Sequence, residues 1–223
     1  MGYQLFQSSA YLDFHTHAMR KADEGDVVEI VSLHLGQEKA HDYFTVGLHP
    51  WWTTEPVTMG QRQELISLLH QENCLAMGEM GLDNLKGPAL HVQMDAFRSQ
   101  LSIANDLGKP VIIHCVRAFD QLMQVKREFP SIKKWCVHGY GRHAILARQL
   151  IDQGFYLSIM PTLSMKYRAL FQALPHDRLF LETDSMADVD IVDLYSQVAG
   201  ILDMNIHHLT RQMNSNARDF FQR

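Results

Sequence analysis

The sequence is short of cysteine, of long apolar runs and of net positive charge, and each shortage excludes a class of protein. Its 223 residues hold only Cys74, Cys115 and Cys136, an odd number with no C-x-x-C, so no disulfide framework is encoded. Buried thiols in a reducing compartment are the expected state. No apolar stretch approaches the ~18 residues of a membrane span. The N-terminus lacks the basic and apolar regions of a signal peptide, and Phe6 breaks the myristoylation pattern that Met1-Gly2 opens. A cytoplasmic protein with no membrane attachment is therefore expected. The formal charge of −5 argues against a strongly cationic nucleic-acid coat protein, while leaving room for a locally basic groove. No repeat, low-complexity tract or Pro/Gly/Ser linker divides the chain, so one domain over residues 1–223 is expected.

What the sequence does have is a globular balance and an excess of histidine. Hydrophobic residues make up 46% and charged residues 20%, enough to bury a sizeable core. The 13 histidines are scattered rather than clustered as a tag. Short apolar runs alternate with helical patterns from end to end. The runs are 11–14, 27–35, 43–48, 74–77, 110–113, 135–137, 154–159 and 179–181. Continuous apolar runs bounded by turns suit strands buried on both faces, as in a parallel sheet. Helices are expected over 61–71, 91–108, 118–129 and 142–154, with Gly108 and Gly154 as stops and Pro130 after the third. Asp190 and Asn205 are expected to cap two more. Eight strands, most followed by a helix, predict an α/β TIM (β/α)₈ barrel. The connections after the first two strands, 15–26 and 36–42, are at or below the ~10–12 residues a βαβ crossover needs, so the helices there are expected to be trimmed or missing. That trimming should leave Val27, Val31, Leu33 and Leu35 in need of cover from the C-terminal helix or a second subunit.

Barrel enzymes carry their chemistry at the C-terminal ends of strands. The first run ends in Asp13-Phe14-His15-Thr16-His17, where alternation points His15 and His17 the same way. The fourth ends in Gly78-Glu79-Met80-Gly81-Leu82-Asp83, the fifth runs into His114, the sixth into His138-Gly139, and the eighth into Glu182-Thr183-Asp184. Six ligand-type residues at five strand ends suit Zn²⁺, Mn²⁺ or another borderline divalent ion, as two ions or as one tight and one labile.

These residues resemble a known family. DFHTH, GLHP at Gly47–Pro50, GEMGLD, Gln93 with Phe97, IIH at Ile112–His114, VHGY and LETDS stand in order with fitting spacing, and Asn216-Ala217-Arg218 with Phe220 is similar to the family's C-terminal helix. Together they resemble the TatD-type metal-dependent hydrolases of the amidohydrolase-like barrels. The resemblance implies a TIM barrel and hydrolysis of phosphodiester bonds, usually of DNA, by a metal-activated water. It implies that His15 and His17 hold one metal, that Glu79 bridges and is catalytic, and that His114 and His138 hold the second. It implies that Asp184 ligates and takes the proton of the attacking water. One or two divalent ions, Zn²⁺, Mn²⁺ or Mg²⁺, and DNA or another phosphodiester are the expected cofactor and partner. Two other readings stay open: a metal-dependent amide, ester or lactone hydrolase, and a metal-binding protein without hydrolysis.

The sequence also departs from the family's pattern. Val116 stands where an arginine is common, with Arg117 one place later as a candidate substrate contact or a helix-start surface charge. Ser185-Met186 replace a proline after the last aspartate. His49 is a second candidate substrate contact. Trp51 and Trp52 after it could stack on a base or pack the rim. Asp83 and Asp120 could orient ligands or cap helices. His34 and seven further histidines fall outside the strand-end motifs and are read as having no role in the site.

Overall fold

A computed structural model describes residues 6, 10–17, 27–37, 41–160, 165–186 and 188–222. The chain divides into two compact units, one formed by Met1–Val31 with Gly139–Gln222 and the other by Ser32–His138.

The first unit contains β1 (Tyr11–Thr16), the start of β2 (Val27–His34), β7 (Phe155–Ile159) and β8 (Leu179–Leu181). Pairing is parallel between β1 and β2 and between β7 and β8. A parallel bridge between Thr16 and Asp184 sets the end of the last strand beside the end of the first. β1 is buried on both faces: Leu12 and Phe14 on one side, Asp13 and His15 on the other. Phe14 stacks on Phe180 at 3.9 Å between ring centres, and Phe220 meets both rings edge-on. Each such ring contributes roughly 1.5–3 kcal/mol of apolar burial. Around these strands lie α4 (Ala144–Asp152), α5 (Met165–Ala173), α6 (Ile191–Leu202) and α7 (Ile206–Phe221). The expected caps are present: Asp190 accepts from the Val192 N–H at 2.6 Å, and Asn205 from the His207 N–H at 2.9 Å.

The second unit carries β3 (Phe44–Gly47), β4 (Cys74–Asp83), β5 (Val111–Val116) and β6 (Trp135–Val137), paired in that order and all parallel. Its helices are α1 (Met59–Leu69), α2 (Leu90–Leu107) and α3 (Phe119–Glu128). Thr58 and Gln61 close a capping box on α1, and Gly108 ends α2 in the left-handed region. Phe97, Leu101 and Ala104 of α2 are fully buried, as the periodicity predicts.

Parallel strands in sequence order, with the last beside the first, give the topology of a (β/α)₈ barrel. Between β2 and β3 no helix occurs among the described residues, as expected; 35–37 and 41–43 form turn and bend. The connection after β1 lies outside the described residues from 18 to 26. The expected apolar exposure along β2 is smaller than its sequence implies: Val31 and Leu33 are buried within the chain. Helix α5 was not anticipated by periodicity. Among the described residues, no helix is long and apolar enough to cross a membrane.

Candidate metal centres

In the second unit, the ligand-type side chains converge on a single atom. His138 Nε2 lies 2.7 Å from Glu79 Oε1, His114 Nδ1 lies 2.8 Å away, and His49 Nε2 lies 3.0 Å away. One carboxylate oxygen offers about two lone pairs, so three imidazole nitrogens overfill it. A buried carboxylate ringed by imidazoles is the donor set of a borderline divalent ion. The ligand atoms of His49, Glu79 and His114 all lie within 4.8 Å of one another.

Local backbone explains how Glu79 reaches this position. Met77 pairs with Val111 and Met80 with Ile113, so β4 carries one extra residue across Gly78-Glu79. Such a bulge re-aims the side chain it contains. The glycines of GEMGLD permit the approach. A Cβ on Gly81, whose φ is +147°, would stand 2.1 Å from the His114 carbonyl oxygen, and one on Gly78 would stand 2.5 Å from that of Ile112. Only glycine lets β4 lie that close to β5.

A surrounding set of hydrogen bonds fixes the rings. Asp83 Oδ2 accepts from Trp51 Nε1 at 2.6 Å and from His114 Nε2 at 3.1 Å, while Oδ1 accepts from the Leu85 and Lys86 N–H groups. Burial would raise the Asp83 carboxyl, but hydrogen bonds from Trp51, Leu85, His114 and Lys86 hold it below the usual range. Asp83 therefore orients His114 with Nδ1 toward Glu79, the arrangement by which a second carboxylate positions a histidine ligand. His49 Nδ1 accepts the Trp51 N–H at 3.2 Å, which leaves its Nε2 as the donor to Glu79. Two glutamines on α2 hold the loops. Gln93 accepts from the Asp83 N–H and donates to three carbonyls, and Gln100 pairs with both backbone groups of Leu48, next to His49.

In the first unit, the ligand atoms of His15, His17 and Asp184 also lie within 4.8 Å of one another. His17 Nε2 is 3.5 Å from Asp184 Oδ1, and the two imidazole rings are 5.1 Å apart. Pairing of Asp13 with Glu29 and Thr16 with Val31 places a bulge in β1 beside these ligands, as in β4. The Asp184 N–H donates to the His15 carbonyl at 2.9 Å, and the His17 N–H to the Asp184 carbonyl at 3.0 Å. Asp184 itself sits in the left-handed region at φ +53°, a conformation that short polar residues tolerate and that gathers at functional sites. Its neighbour Thr183 gives its N–H and hydroxyl to the two oxygens of Asp13. Burial pushes the Asp13 carboxyl up to about 7, against those Thr183 hydrogen bonds, with Glu182 and Glu29 pushing the same way as burial.

All six expected ligands thus stand in clusters of candidate metal donors, and His49, expected as a substrate contact, stands beside Glu79 and His114 in one of them. Arg117 is not drawn into that cluster. It is exposed at φ +49°, just past β5, and among the described residues no ion pair engages it. Asp120 is exposed in the first turn of α3. The two tryptophans divide the alternatives between them: Trp51 is tied to Asp83, and Trp52 is exposed. Sequence reasoning missed the positioning contacts of Asp13 and Gln100.

The chain was compared with known proteins. A family model described as TatD related DNase matches residues 19–222. The chain is 31% identical over 153 residues to an uncharacterized metal-dependent hydrolase TatD of Mycobacterium tuberculosis, covering 64% of this chain and 58% of that protein. It is 27% identical over 161 residues to a 3'-5' ssDNA/RNA exonuclease TatD of Salmonella typhimurium, covering 69% and 62%. The matches thus span about three-fifths of the length of these relatives. A crystal structure of YJJV, a TatD homolog from Escherichia coli, superposes with a TM-score of 0.71 at 21% identity, covering 81% of this chain and 77% of the other. A TatD family hydrolase from Entamoeba histolytica gives 0.70 at 18%, covering 81% and 74%. These two likenesses show the shared barrel fold. With a family model matched over nearly its whole length, the chain belongs to the TatD-related family of metal-dependent hydrolases.

Proposed function

We propose that this chain is a divalent-metal-dependent phosphodiesterase that cleaves nucleic acid with water as the nucleophile, acting as a single functional domain. The observation that carries the reading is the convergence of His49, His114 and His138 on one oxygen of Glu79 within 3.0 Å. In this reading Glu79, His114 and His138 hold one ion, and His15, His17 and Asp184 hold another; Zn²⁺, Mn²⁺ and Mg²⁺ are the candidates. A divalent ion in such a setting lowers the pKa of a bound water toward ~7 and offsets charge on a phosphodiester oxygen.

The chain's own residues supply the rest. Asp184 is the base that accepts the proton of the attacking water, its carboxylate only partly buried and so open to exchange. His49 gives its Nε2 N–H to Glu79, and once an ion takes that carboxylate oxygen the N–H is suited to turn to an anionic phosphate oxygen. Asp83 keeps the His114 ring from turning. The exposed Arg117 guanidinium is suited to a neighbouring phosphate. The name of the Salmonella relative supports nucleic acid as the substrate class.

The test is hydrolysis of single-stranded oligonucleotides by metal-free protein reloaded with each of the three ions. Activity should appear on loading, vanish with EDTA and be lost in His114→Ala. Loaded protein that leaves every oligonucleotide intact while hydrolysing a small lactone or amide would overturn the reading.

A further inference from the structure

Among the described residues, Trp52 is the only aromatic side chain in the set of exposed large apolar residues, at 62% exposure. It is held there by backbone, since its N–H donates to the His49 carbonyl at 3.2 Å and the Thr53 hydroxyl bonds to the Pro50 carbonyl at 3.1 Å. Its indole is braced rather than covered. His34 meets it at 5.0 Å and 77°, His49 at 5.0 Å and 45°, and Trp51 at 6.1 Å and 85°. None of these rings lies parallel to it, so among the described residues no ring stacks on its face. The same His49 lies 3.0 Å from Glu79. The exposed indole therefore stands one imidazole away from the Glu79 cluster.

Resting on the reading above, we propose that Trp52, braced by His34, is a stacking platform for an unpaired nucleobase beside the scissile phosphate. It makes a single-stranded end the preferred substrate. Three features favour a base over another apolar occupant. An indole face is a flat π surface that matches any of the bases, which gives binding without sequence choice. The three neighbouring rings are set at angles to the indole, and Trp52 keeps 62% exposure beside them. The distance of one ring suits a phosphate at the cluster with its attached base on the platform. A base inside a duplex already has neighbours on both faces and cannot use the platform. His34 gains a role in this arrangement: it is the last residue of β2, so its ring is carried by a strand.

The test compares a single-stranded oligonucleotide bearing a normal terminal base with one bearing an abasic residue there. In the metal-loaded wild type, the base-bearing substrate should be favoured in kcat/KM by about 5- to 150-fold, mostly through KM. In Trp52→Ala that ratio should fall toward one, and Trp52→Phe should restore most of it. Binding of the same oligonucleotides without turnover, followed by fluorescence anisotropy in EDTA, should show the same ordering. A ratio equal in wild type and Trp52→Ala would overturn the platform while leaving the phosphodiesterase reading standing. Absence of hydrolysis of either substrate by the wild type would overturn both.

Discussion

The two ligand clusters are built by different means. The Glu79 cluster is buried and positioned by side chains, with Glu79 at 6% exposure and His114 at 13%. Its rings are aimed by Asp83 and the Trp51 N–H, and its loops by Gln93 and Gln100. In the His15–His17–Asp184 cluster His15 is buried, but His17 is 39% and Asp184 29% exposed, with His17 Nε2 at 3.5 Å from Asp184 Oδ1. This cluster is aligned through backbone bonds between the first and last strands and through the Asp13–Thr183 contact. Burial strengthens electrostatic attraction to a cation and slows exchange with water. The expectation that follows is that a divalent ion binds more tightly at the Glu79 cluster than beside His17 and Asp184.

The largest effect should come from removing the anion at the centre of the tighter cluster. Glu79→Gln is expected to abolish tight Mn²⁺ binding and reduce hydrolysis to background, measured by titration calorimetry and oligonucleotide cleavage. Asp184→Asn should also end hydrolysis but leave the tight binding isotherm in place. Equal loss of tight binding in both would erase the distinction. A smaller effect is expected at Asp83, which touches the ligand rather than the ion. Asp83→Asn should weaken the tight site about 10- to 100-fold in affinity, with the weaker phase of the isotherm unchanged.

The smallest effect concerns the backbone-aligned cluster and pH. The Asp13 carboxyl is raised by burial to about 7 from an ordinary value of 3.8. Between those values the folded chain binds more protons than the unfolded chain, so this group's contribution is fully present at low pH and is lost as pH rises through about 7. Urea unfolding of the metal-free protein should show that loss between about pH 4 and 7, and Asp13→Asn should flatten it. An unchanged slope in the variant would remove Asp13 from the account.

Much of the barrel was legible because parallel strands buried on both faces read as unbroken apolar runs. β6 and β8 match their runs to the residue. The ligands were legible because strand ends concentrate polar side chains that packing does not require. What could not be read depends on partners. The bulges in β1 and β4 exist only relative to neighbouring strands, yet they aim His15 and Glu79. The end of β2 at His34 was hidden by a run that continues to Leu35, one residue further. Gln100 lies on the apolar face of α2, where a polar residue looks like a break in the pattern until its two bonds to Leu48 are seen. Helix α5 spans 9 residues, as α4 does, but no glycine follows it to mark its end as Gly154 marks that of α4.

Anomalous diffraction from crystals grown with limiting Mn²⁺, then with excess, tests the central claim most directly. The account predicts one strong peak coordinated by Glu79 and His114 at limiting metal, and a second beside His15, His17 and Asp184 only in excess. A first peak at His17 and Asp184, or no peak at either cluster, would contradict it.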